Sequence, residues 1–486
     1  VKKRMNERSS AASRGRGVDL LTGTPWQKIA LFAVPMIIGN LFQQLYNTVD
    51  SIIVGRWVGH IGLAAVGVSS PMLFLLVAVF MGVATGSSVC VAQYYGAKNE
   101  KALRRTLHTS IMLAIVVGIA LSIIGYILSP TFLRLLNTPE ETYAYALQYM
   151  QILFLGLAAQ MLYNMTSGFM RGMGNSRTPL FILIFTCVTN TLLDLFFVIN
   201  MNLGVAGAAW ATIISQCLSS VLAVTALHRT NELTRISRSE LRINWDSAKE
   251  IIGIGFPTAI QQGVISLGGV IIQGFVNSYG TAMIAGHNAA MKVDMFAVMP
   301  IMSFSMAMVS YTGQNVGAGN MDRVHKGVKQ GATMSVMVVA AFSSILFFFG
   351  RYVLMLFTDD AATVEAGYMI IRTLAPFYWM FAINQTLGGV MRGSGETVSP
   401  MINALLMNIF VRIPLVFFLD SILKGPQAIY YSQIGGWVFG VSQMLFMYSR
   451  GKWERKALSR IEMMHANPDA NPRANQSQKN VLVENP

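Results

Sequence analysis

Twelve long apolar stretches follow one another along this chain, each about as long as a lipid bilayer's hydrocarbon core is thick. A helix needs roughly 20 mostly apolar residues to cross that core. The stretches fall near residues 28–55, 62–92, 106–128, 144–170, 178–200 and 204–227, then 248–276, 281–311, 328–350, 363–390, 398–420 and 428–448. Lipid offers no partner for open backbone N–H and C=O groups, and these segments are too long for barrel strands, so they must be helices. Only 12% of residues are charged, against about 25% in soluble domains. The expected fold class is an all-α polytopic membrane protein with twelve transmembrane helices.

The chain also repeats itself. Gln93, Gly96, Ala97 and Asn99 in AQYYGAKN return about 220 residues later as Gln314, Gly317, Ala318 and Asn320 in GQNVGAGN. Pro35 answers Pro257, Gln43-Gln44 answers Gln261-Gln262, and Met170-Arg171-Gly172 answers Met391-Arg392-Gly393. Two pseudo-symmetric six-helix lobes are expected, at 26–228 and 248–449. Such a pair can rock about a site near the bilayer midplane, which suggests a transporter.

A net charge of +14 invites a nucleic-acid reading until the cations are placed. Of 36 Lys and Arg, 29 fall in segments 1–28, 98–105, 171–177, 229–249 and 323–329, at Arg392 and in the tail from 450, while the opposite loops hold only Arg56, Arg134, Arg351 and Lys424. That asymmetry is the positive-inside pattern. It places segment 1–25, the linker and tail 450–486 in the cytoplasm and the chain in the cell membrane. Nucleic-acid binding is not expected, because the charges are spread over a membrane face. The first 25 residues lack an apolar core, so no cleavable signal is visible and the first span should direct insertion. The Pro- and Asn-rich tail reads as a short amphipathic stub followed by disorder. Cys90, Cys187 and Cys217 lie in spans without CxxC spacing, which supports neither disulfides nor zinc. GxxxxGK[ST], HExxH and GxSxG are all absent, so ATP use by that route and the commonest membrane hydrolase chemistries find no support. Neither an enzyme nor a cofactor is expected.

Acids inside the spans stand out against this background. Asp50 lies in LYNTVDSIIVG, and Asn190 and Asp194 stand four apart in NTLLD, on one face of the fifth span. An Asp near the centre of a membrane helix costs about 2.5–3.5 kcal/mol on insertion scales, so it normally faces a cavity or partner. Thr212 in GVAGAAWAT matches Asp194 in depth. Two carboxylates, an amide and a hydroxyl suit sodium, which prefers oxygen ligands. A proton would use the same pair through the raised affinity of buried neighbouring carboxylates. Solvation of Asp50 at the outer interface, or a purely structural polar network, is the bland alternative. The second half supplies Gly268 and Gly269 opposite Asp50, and either Arg412 or Leu415 opposite Asp194 depending on a three-residue gap; Asn408 and Arg412 reproduce the Asn190 and Asp194 spacing with a cation. Lys292 and Asp294 form a compact charge pair in the eighth span, either a local ion pair, a substrate contact or a second proton site.

These residues carry a resemblance. LYNTVDSIIVGRWVG at 45–59, the paired AQYYGAKN and GQNVGAGN, the MRGMGNSRTP and MRGSGETVSP loops, and NTLLD followed by GVAGAAWAT resemble the MATE (multidrug and toxic compound extrusion) transporters across roughly residues 20–450. The acids are similar to those of the family's DinF-like branch. The resemblance implies two lobes forming a V, and export of drugs or toxins driven by inward H+ or Na+. By position, it implies that Asp50, Asn190, Asp194 and Thr212 form a cation site, as sodium ligands if sodium is the coupling ion. Asn164 and Ser167 are the fourth-helix candidates. The NorM-like branch looks for a Glu in the seventh helix, where this chain has Gln261, Gln262 and Ser266. Gln261, Lys292, Asp294 and Arg412 are left as candidates for a substrate cavity or second charge site. The expected partners are small-molecule drugs or toxins and the lipid bilayer, with the protein a monomer. Rival readings are a lipid-linked precursor flippase of the same superfamily and a membrane enzyme or receptor without transport.

Overall fold

A computed structural model of the chain describes residues 17–466 other than Asn231, Phe357 and Asp359. Helices occupy all twelve expected places. The first lobe holds α1 (Pro25–Ile53), α2 (His60–Gly96), α3 (Glu100–Leu135), α4 (Glu140–Leu155 and Leu157–Gly172), α5 (Arg177–Asp194) and α6 (Gly204–Thr230). The second holds α7 (Trp245–Ser278), α8 (Thr281–Gly317), α9 (Met321–Met355), α10 (Ala361–Leu374 and Tyr378–Ser394), α11 (Val398–Leu405 and Ile413–Leu423) and α12 (Gln427–Ser449). Among the described residues nine helices are long and apolar enough to cross a membrane, and α4, bent by 48°, makes a tenth. The other two are α10, broken by a 3-10 turn at Ala375–Phe377, and α12, which is rich in Gly, Tyr, Ser and Gln. Together they form the V-shaped pair of lobes of an all-helical membrane fold.

The first helix of each half packs partly on the other lobe. Ile29, Phe32 and Met36 of α1 bury against Phe304, Met308 and Val390 of the second lobe. Ile251 and Ile254 of α7 bury against Phe80 and Met165 of the first. Each of these helices carries its proline, Pro35 or Pro257, in its interior, where the missing N–H loosens the backbone ladder.

The repeated motifs explain how the lobes close on each other at the face bearing most of the Lys and Arg, here called the basic face. Gln93 Nε2 donates to the Gly393 carbonyl and Gln314 Nε2 to the Gly172 carbonyl, each at 2.8 Å, so each motif glutamine reaches the MRG segment of the opposite lobe. Gly96 and Gly317 lie against the backbones of Gln314 and Gln93, where a Cβ on either would overlap main-chain atoms. Asn99 and Asn320 then cap α3 and α9 through their side-chain oxygens. One eight-residue pattern thus supplies a cross-lobe bond, a close approach and a helix start.

Two segments outside the spans reinforce this face. Residues 17–24 lie across both lobes: Val18 N donates to Gly174 O, and Arg323 donates to Gly23 O at 2.6 Å and Thr22 O at 2.9 Å. The tail begins with the expected amphipathic stub. Residues Lys452–Ala466 form a further helix, α13, with Trp453, Ala457 and Arg460 buried. Arg460 donates to Glu250 of α7 at 2.7 Å and to Gln93 of α2, while Tyr94 donates to the other Glu250 oxygen at 2.6 Å. Lys452 pairs with Glu396 at 3.6 Å. The amphipathic stub therefore docks because its few apolar and basic side chains find ready partners on both lobes. Residues 467–486 of the expected tail, and residues 1–16 of the expected N-terminal segment, lie outside the described residues.

Candidate functional site: a sheltered pair of acids

Asp50 and Asp194 both sit where an α-helix passes into a π turn. The turn Val54–Val58 follows α1, and the Val54 N–H bonds back to the Asp50 carbonyl. The turn Leu195–Asn200 begins directly after Asp194. Such wide turns re-aim side chains and accumulate at functional positions. Asp194 is completely buried and Asp50 half-buried, and their carboxyls lie in side-chain contact, close enough for one shared proton to bond them.

The surroundings are short of positive charge. Among the described residues no Lys, Arg or His pairs with either acid. Asp50 Oδ1, both Asp194 carboxylate oxygens, and Oδ1 and Nδ2 of Asn190 are buried without a hydrogen-bond partner. Unpartnered buried polar atoms are rare and ask for a ligand or water. Asn190 lies one turn before Asp194 on the same helix face. Thr212 of α6 is buried and donates back to Ala208 O at 3.0 Å, and its oxygen lies 3.4 Å from the Tyr46 hydroxyl. Tyr46 and Tyr149 stand in the electrostatic neighbourhood of both acids. The structure therefore gathers Asp50, Asn190, Asp194 and Thr212 into one region of the first lobe, walled by two tyrosines.

Sequence reasoning missed those tyrosines. Tyr46 had a usable signal, since it precedes Asp50 by one helical turn. Tyr149 had none, because its place depends on how α4 packs.

Asn164 and Ser167 are not brought to the acids by any bond among the described residues. The Asn164 amide donates to Gln160 O at 3.0 Å, and Ser167 Oγ is buried without a hydrogen-bond partner. In the second lobe the four remaining candidates separate. Gln261 is buried and accepts from Arg392 at 3.2 Å, the same guanidinium donating to Ser305 Oγ at 2.7 Å. Asp294 is held by the hydroxyl of Tyr378 from α10, and Lys292 is exposed. Arg412 ends the π turn Leu406–Arg412 within α11.

Comparison with known proteins bears on this arrangement. The MatE family profile matches residues 35–196 and 257–418, one copy in each lobe. The chain belongs to the MatE family. Membership makes it a membrane-embedded transporter rather than an enzyme. The probable multidrug resistance protein YoeA of Bacillus subtilis (strain 168) is 28% identical over 449 residues, covering 90% of this chain and 96% of YoeA. The probable multidrug resistance protein YpnP of the same organism is 27% identical over 443 residues, covering 91% and 99%. A multidrug resistance MATE family transporter of the MOP superfamily, solved in an outward-facing conformation, matches with a TM-score of 0.84 at 22% identity over 93% of this chain and 99% of that one. This last likeness concerns the fold. In this MatE protein the two profile copies coincide with the two lobes, and the acid pair falls within the first copy alone apart from Thr212.

Proposed function

We propose that this protein is a secondary multidrug antiporter that exports amphipathic, often cationic, organic compounds in exchange for H+ or Na+, with Asp50 and Asp194 as the coupling site. The observation that carries the reading is the contact between two sheltered carboxyls with no basic partner. Two ionised carboxylates side by side in a poor dielectric repel each other, and one monovalent cation relieves both the repulsion and the desolvation. A proton held between them does so as a hydrogen bond. A sodium ion would draw on the same oxygens, with Asn190 and Thr212 completing the set.

The names of YoeA and YpnP as multidrug resistance proteins support the choice of cargo. Coupling follows if cation and drug favour opposite arrangements of the lobes, so that loading one expels the other. Pro35, which loosens α1 fifteen residues before Asp50, supplies a place for that helix to respond. The basic face is cytoplasmic in this reading, so the described arrangement, closed there, releases cargo outward. The acids lie in the first lobe only, as in the DinF-like branch. A flippase for pyrophosphate-linked lipids would need a strongly cationic cavity, and the interior cations of the second lobe are few.

Dye efflux from everted vesicles under imposed sodium or pH gradients tests the proposal. Asp50→Asn and Asp194→Asn should each abolish gradient-driven efflux while the protein is still made and inserted. Undiminished efflux in both variants removes the acids from the mechanism, and the gradient that drives the wild type names the ion.

A further inference from the structure

Arg412 in the second lobe repeats a spacing that Asp194 has in the first. Each stands four residues after a buried asparagine, Asn408 or Asn190, and each adjoins a π turn. The shared spacing thus carries opposite charges in the two lobes.

A guanidinium inside a membrane protein needs an anion, a set of carbonyls or water. Arg412 has its Nε buried without a hydrogen-bond partner, and among the described residues no carboxylate pairs with it. Its electrostatic neighbours are Tyr430 of α12 and His287 of α8. Those two are themselves joined, His287 Nδ1 lying 3.3 Å from the Tyr430 hydroxyl, and both are buried. On the α12 side Gly436 lies beside Arg412, leaving the arginine stem uncrowded. A cation, a phenol and an imidazole without an acid among them form a donor set. With His287 Nδ1–H donating to the Tyr430 oxygen, the Tyr430 O–H is not used by that bond.

We propose that Arg412, Tyr430 and His287 form a binding site for a monovalent anionic group in the second lobe. Chloride and a carboxylate on a transported compound share this chemistry. The site does not depend on the efflux reading, because it is defined by binding alone.

The test uses the full-length protein in lipid nanodiscs, in sodium gluconate replaced stepwise by sodium chloride or sodium benzoate at constant sodium. Binding of radiolabelled chloride and benzoate is measured directly, and the melting temperature alongside, since a ligand selective for the native state raises it. Saturable binding of at least one anion is expected in the wild type. Arg412→Gln should weaken it at least tenfold, Arg412→Lys less, and Tyr430→Phe severalfold. Saturation by chloride identifies an inorganic anion, and saturation by benzoate but not chloride identifies a carboxylate, either outcome supporting the site. The proposal is overturned by the absence of saturable binding of both anions, or by unchanged binding in Arg412→Gln. Should Arg412→Gln fail to insert, unchanged affinity in both Tyr430→Phe and Arg412→Lys overturns it equally. Gradient-driven efflux of ethidium, which has no carboxyl, separately reads the antiport proposal.

Discussion

Arg460→Ala probes the junction on which closure of the basic face rests. The wild-type guanidinium is nine-tenths buried, bonds Glu250 at 2.7 Å, and also donates to Gln93. Burial works against its charge, but the adjacent Glu250 carboxylate outweighs this and holds the guanidinium above its ordinary pKa. Removing one partner of a buried pair costs about 3–5 kcal/mol, because the other charge is stranded. Glu250 remains 21% exposed and keeps the Tyr94 hydroxyl, so solvent and that bond reduce the expected loss to about 2–3 kcal/mol. Thermal unfolding of the purified protein should fall by a few degrees. Spin labels placed on the two lobes at the basic face should report longer distances. A double-mutant cycle isolates the pair: Glu250→Gln in the Arg460→Ala background should recover much of the loss, since it removes the stranded charge. Additive effects of the two substitutions, or a melting temperature unchanged by Arg460→Ala, would refute the idea that α13 fastens the lobes together.

Gly317→Ala and Gly96→Ala should each force the lobes apart at the crossing of the two motifs and cost at least about 1–3 kcal/mol as overpacking; inter-lobe cysteine cross-linking at this face should slow in both, and equal rates to wild type would contradict the close approach. Tyr46→Phe should weaken coupling-cation binding by only about two- to tenfold, because the bond it removes to Thr212 is long at 3.4 Å; isothermal titration decides, and abolished binding would mean a direct ligand role. In the 229–247 linker, the Arg104 hydrogen bond at 2.6 Å, together with its charge, holds the Glu240 carboxyl below its ordinary value. A depressed carboxylate stabilises above the unfolded pKa and loses that contribution as pH falls through the folded one. Proteolysis of the linker should therefore be steady near neutrality and accelerate only below about pH 4, with Glu240→Gln removing the pH dependence.

Much of the architecture was legible because membrane insertion imposes it residue by residue. Twelve apolar runs had to become helices, and Asp50, Asn190 and Asp194 were conspicuous because a carboxylate in such a run is costly. The helix faces were legible too, since four-residue spacing fixes them. What the linear pattern hides is anything that depends on packing between distant segments. Tyr149 approaches the acids only because of how α4 lies. The bond from Arg392 to Gln261 likewise joins two helices that the sequence does not place together. The stub at 452–466 looked like the start of a loose tail because its composition is polar, but composition does not reveal that Glu250 and Glu396 wait opposite its cations. The π turns were invisible as well, for nothing in VGRWV or LFFVIN announces a widened helix.

The repeat and its exceptions divide the molecule by task. Where the halves agree, at Gln93 and Gln314, Gly96 and Gly317, and the two MRG segments, the residues make reciprocal bonds across the lobes. A contact that must form and break as two similar bodies rock is served by symmetry, because each lobe presents the same donor and acceptor to the other. Where the halves disagree, at Asp50 against Gly268 and Gly269 and in the Asn190–Asp194 spacing against Asn408–Arg412, the charged side chains keep buried polar atoms without a hydrogen-bond partner. A symmetric pair of acid sites would bind two cations and leave the lobes without electrostatic polarity. Under the proposed coupling, one lobe rich in carboxylate oxygen and one with an unpaired guanidinium would respond to ions of opposite sign, so occupancy of one lobe would bias a rocking equilibrium that the symmetric contacts alone leave balanced.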